Sequence, residues 1–80
     1  GGVTRYVSRA QVLVTARRGE GGRPTLIITN TGRRIITVVG EKGYRELAGY
    51  YSGESFEAGS YAEVRIRMLK PPIKLSVRGG

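Results

Sequence analysis

The chain has 80 residues, with 14 lysines and arginines against six acids, a net charge of +8 and a sequence pI near 10.6. It holds no cysteine, histidine or tryptophan, and all its acids are glutamate. Disulfide bracing, thiolate or imidazole metal sites and any Ser-His-Asp or Cys-His nucleophile are therefore excluded.

One domain is expected, near the lower size limit for a chain that holds itself together through a single core. Its basic balance favours an anionic partner, either nucleic acid or a polyanionic glycan or surface. Arginine outnumbers lysine eleven to three. With scarce Asn and no Cys, that fits a heat-adapted source, although biased nucleotide composition gives the same pattern.

The opening, GGVTRYVSRAQVLVTARRG, reads as extended. Tyr6, Val7, Val12, Leu13 and Val14 are strand formers, and no N-cap precedes a helical stripe. Residues 3–16 would reach about 46 Å at ~3.3 Å each, about twice an ordinary strand. Either Ser8-Arg9 bends the segment or its first half leaves the body. The division expected is an extended segment over 1–12 and a globular domain over 13–80.

Residues 17–24 form a glycine-rich loop, and Pro24 starts the next strand. Residues 25–29 and 34–39 are apolar runs suited to central strands. Between them, Asn30, Thr31 and Gly32 supply residue types that tolerate left-handed turn geometry. Residues 40–60 are ambiguous: Tyr44, Leu47, Tyr50 and Tyr51 fit one helical face, whereas Gly43, Gly49 and Gly53 argue for short strands and turns.

The signal then sharpens. Ala62, Val64, Ile66 and Met68 alternate with Glu63, Arg65 and Arg67, a period of two. Pro71-Pro72 ends that strand, and Ile73, Leu75 and Val77 alternate with Lys74, Ser76 and Arg78. The expected architecture is an all-β sandwich or small barrel of six or seven short strands. Its expected core is Val12, Val14, Leu26, Ile28, Ile36, Val38, Val64, Ile66, Met68, Ile73, Leu75 and Val77.

The chemistry available is narrow. Glu54 and Glu57 are the closest carboxylates and read as solvated loop groups, so an enzyme is not expected, and neither cofactor nor metal is implied. Arg33, Arg34, Arg65, Arg67, Lys74 and Arg78 are candidate anion-binding residues, the last four forming a stripe if the final two strands pair. Outward polar positions on any small domain would carry such charges too.

No apolar run approaches the ~20 residues of a membrane-spanning helix. No charged-then-apolar signal segment opens the sequence either. The expectation is a cytoplasmic protein or the mature form of a secreted one.

LIITNTGRRIITVVG, followed after a variable middle by FEAGSYAEVRIRM, resembles the globular domains of archaeal pilins and archaellins. The matching residues are Asn30, Thr31 and Gly32, then Glu57, Ala58, Gly59 and Ser60, then Ala62, Val64 and Ile66. The likeness spans roughly residues 13–68. It implies an immunoglobulin-like β-sandwich, turns at Asn30, Gly32 and Gly59, and a non-enzymatic structural subunit of an extracellular surface filament.

The pilins' apolar N-terminal helix has no counterpart here. An excised head domain, an ordinary secreted module and a subunit joined through strands are the alternatives. In the last, Val3, Tyr6, Val7, Ala10, Val12 and Val14 would form a donated strand that builds a homopolymer. The competing reading is a small basic β-barrel that binds nucleic acid.

Overall fold

The computed structural model describes residues 4–8, 11–67 and 71–77, with the side chains of residues 4–8 and of Glu20 left aside. Among the described residues there are eight strands: β1 Thr4–Ser8, β2 Val12–Arg18, β3 Pro24–Asn30, β4 Ile36–Gly40, β5 Gly43–Leu47, β6 Ser55–Gly59, β7 Tyr61–Ile66 and β8 Ile73–Ser76. One 3₁₀ turn, Glu20–Gly22, joins β2 to β3.

The strands make two antiparallel four-stranded sheets, ordered β1-β2-β3-β6 and β5-β4-β7-β8. Set face to face, β2-β3-β6 and β5-β4-β7-β8 have the crossed connections of an immunoglobulin-like sandwich, with β1 added at one rim. The count exceeds the expected six or seven because the opening segment reverses on itself and because residues 43–47 form a strand.

Alternation explains why the sheets stack. Val12 and Val14 of β2, Leu26 and Ile28 of β3 and Ala58 of β6 face Ile36 and Val38 of β4, Leu47 of β5 and Ala62 and Val64 of β7, all buried. Each fully buried aliphatic of Val or Ile size contributes about 1.5–3 kcal/mol. Ile66, Ile73, Leu75 and Val77 pack half-buried at the margin, joined by Ala16 and Phe56. Met68 lies outside the described residues.

Leu47, Ala58 and Ala62 complete the core beyond the expected set. β5 was hard to read because only its last residue is buried, so its sequence carries no period of two.

Four of the six residues expected in a donated strand, Tyr6, Val7, Val12 and Val14, are among the described residues. Thr4–Ser8 lies antiparallel on β2 of its own chain, with Tyr6 opposite Val14 and Val7 opposite Leu13. Val12 and Val14 are 1 % and 5 % exposed within their own core. Val3 and Ala10 lie outside the described residues.

At one end of the sandwich, the β3–β6 register jumps from Leu26↔Gly59 to Ile27↔Glu57, a bulge at Ala58. Gly59 takes a φ of +94°, which only glycine adopts without strain. Glu41 accepts the Ser60 amide at 2.9 Å, and that hydrogen bond holds its carboxyl below the usual carboxylate range. A depressed carboxyl lends its brace at neutral pH and loses it as acid protonates the group.

Candidate functional site

The opposite end of the sandwich is organised by one buried amide. Asn30, the last residue of β3, is fully buried. Its Nδ2 donates to the carbonyls of Arg34 (2.7 Å), Ala48 (2.9 Å) and Leu47 (3.1 Å). Its Oδ1 accepts from Gln11 Nε2 (2.6 Å) and from the Gly32 amide (3.1 Å). Three carbonyls at one end and two N–H donors at the other fix which way the amide points.

Asn30 is thus not a left-handed turn residue, and neither it nor Gly32 has a positive φ. The segment after it crosses from one sheet to the other. A Cβ on Gly32 would run into the end of the Gln11 side chain, so a larger residue there would displace the bonds Gln11 makes to Asn30 and Arg34.

The bonds tie two loops together. The crossover between β3 and β4 (residues 31–35) carries Arg33, Arg34 and Ile35. The loop between β5 and β6 (residues 48–54) carries Tyr50 and Tyr51. Tyr50 N–H donates to Arg33 O (2.8 Å), Tyr51 N–H to Gly32 O (2.9 Å) and Gly53 N–H to Asn30 O (3.1 Å). Glu54 caps the second loop by accepting the Ala48 amide at 2.9 Å, so this glutamate is structural. A Cβ on Gly49 would collide with Arg33 O, so no side chain fits where the loops meet.

Beside these loops lies an open depression lined by Arg33, Arg34, Ile35, Thr37, Glu46, Tyr50, Arg65, Ile66 and Arg67. β4 and β7 set its floor: Thr37 and Arg65 are register partners on the outer face of the second sheet, with Glu46 of β5 beyond Thr37. Four of the six candidate anion-binding residues therefore converge.

Lys74 sits one row away, paired across from Glu63, and Arg78 lies outside the described residues. The expected basic stripe along β7 and β8 is interrupted by Glu63, which pairs with Arg65 at 2.7 Å. Among the described residues this is the only ion pair, so Arg33, Arg34 and Arg67 have no carboxylate partner. The second arginine group, Arg17, Arg18 and Arg23, lies at the other end of β3 and contributes nothing here.

Sequence alone assigned neither Tyr50, read there as part of a possible helical face, nor Ile35 a binding role; they are 81 % and 57 % exposed. Their one visible cue is adjacency: an exposed aromatic pair and an isoleucine next to paired arginines. Among the described residues no three carboxylates gather to hold a metal. The surface offers guanidinium donors, an aromatic ring and an aliphatic side chain, which suits binding an anion with an apolar part. No family profile, curated protein or solved structure matches the chain.

Replacing Asn30 tests how this end is built. Asn30→Ala leaves the buried Leu47 carbonyl and Gly32 amide unpaired, at about 1–3 kcal/mol each. Urea unfolding should show a loss of about 3 kcal/mol. Asn30→Asp, nearly isosteric, should not restore it, because it sets a carboxylate oxygen against three carbonyls. Stability within about 0.5 kcal/mol of the parent in either variant would refute the assignment.

Proposed function

We propose that the chain is a non-enzymatic binding module that docks an anionic polymer on its arginine-rich end. The observation that carries this reading is the convergence of Arg33, Arg34, Arg65 and Arg67 on one depression with Glu46 as the opposing charge lining it. Three of those guanidiniums have no carboxylate partner among the described residues. Scattered neutralising pairs, which the six glutamates could have supplied, are not what this end shows.

A polymer is favoured over a small anion because the depression is open and the charges are exposed. Exposed charges act weakly one at a time but add along a repeating partner. The net +8 would also draw such a partner in from a distance.

The test is retention on heparin and on an oligonucleotide, followed by titration against salt. Engaging about three phosphates of a single strand should give a slope of log K against log salt of about −2. Replacing Arg33, Arg34 and Arg67 with Gln should flatten it. No binding of either polyanion at low salt, or a slope unchanged in the triple variant, would remove the reading.

A second reading, a structural subunit of an extracellular surface filament, is supported by the rim of the first sheet. β1 pairs with β2 alone, so among the described residues its other edge has no partner strand. Electron microscopy of the purified protein should then show polymers. A monodisperse monomer at every salt concentration would eliminate it.

A further inference from the structure

Tyr50 and Tyr51 have φ of +56° and +60°, the only non-glycine residues in the left-handed region among those described. A bulky side chain there is an outlier that carries a strain cost. The conformation is imposed locally: the two amides are drawn to Arg33 O and Gly32 O, and Ser52 closes the turn with its amide on Gly49 O (3.2 Å) and its hydroxyl on Ala48 O (2.6 Å). Glycine or asparagine would make the same turn with less strain.

Nor do the rings recover that cost by burial. They are 81 % and 73 % exposed, far from the core an aromatic would normally reinforce. The strained turn thus holds two adjacent rings in water, the first of them lining the depression with the four arginines.

Building on the polyanion reading above, we infer that the partner is single-stranded nucleic acid, its phosphates held by Arg33, Arg34 and Arg67 and its bases stacked on Tyr50 and Tyr51. Stacking needs a π-face that can be reached and a base free of its own stack, which a single strand offers and a duplex interior does not. A polyanionic glycan would use the arginines but has no flat aromatic group to match the rings. Ile35, 57 % exposed beside Tyr50, adds an apolar contact for a base or sugar.

The experiment compares a labelled 12-nucleotide oligothymidylate with an abasic strand of equal phosphate count, at fixed low salt. Wild-type protein should bind the thymidylate at least about tenfold more tightly. The double variant Tyr50→Asn/Tyr51→Asn should lose that margin and keep the salt slope. Asparagine accepts the left-handed backbone, so this variant should be at least as stable as the parent to urea.

Equal binding of the two strands by wild type overturns the stacking and leaves the arginine reading intact. So does an unchanged margin in the double variant. Absence of binding to both strands and to heparin overturns both. Because the wild-type comparison needs no variant, the inference stays testable even if the double substitution perturbs the fold. Tyr61→Ser, on the outer face of the second sheet away from these loops, should leave the margin untouched.

Discussion

A single carboxamide, that of Asn30, joins the two sheets at one end of this sandwich. In so small a domain a polar group at zero exposure would be a serious cost if any of its hydrogen-bonding capacity were unmet. Here its nitrogen serves carbonyls from the β3–β4 crossover and from the end of β5, and its oxygen serves Gln11 and Gly32. No buried side-chain nitrogen or oxygen among the described residues lacks a partner. The amide therefore substitutes for the regular ladder hydrogen bonds that the chain forgoes where it changes sheets.

Everything exposed at that end follows from this constraint. Because the carbonyls of Arg34, Leu47 and Ala48 are drawn to one point, the two loops meet closely enough for Tyr50 and Tyr51 to bond to Arg33 and Gly32. Closeness forces glycine at position 49 and pushes the tyrosine backbones into the left-handed region. Their rings and the arginine side chains are left facing water, on a surface whose shape the two loops set. On the proposed function, preorganisation of this kind would reduce the ordering cost of binding through exposed charges and stacked rings.

The sequence made the frame visible and hid the hub. Period-two alternation in residues 61–67 and 73–77 marks β7 and β8 because each buries one face, and the apolar runs mark β3 and β4 because both are central strands. Asn30 looked like a turn residue because Asn-x-Gly usually is one; nothing in its identity says that three carbonyls converge on it. The arginines were legible as candidates, but which of them share a surface depends on the sheet crossover, which brings residues 33–34 beside 65–67. The strained tyrosines were invisible for a related reason: their φ is set by contact with a segment some 17 residues earlier in the chain. The long opening segment was legible as extended, and of the two outcomes offered for it the reversal is the one found: Thr4–Ser8 returns onto β2 as a local hairpin, with Tyr6 opposite Val14.

The central claim, that the amide locks both loops into the folded body, is tested most directly by native-state amide hydrogen exchange in the unmodified protein. If the loops are part of the cooperative core, the Tyr50, Tyr51 and Gly53 amides should exchange about as slowly as the amides of β3 and β4, through global unfolding. Exchange of these three amides at the fast rates of a freely opening loop, with the β3 and β4 amides still protected, would contradict it.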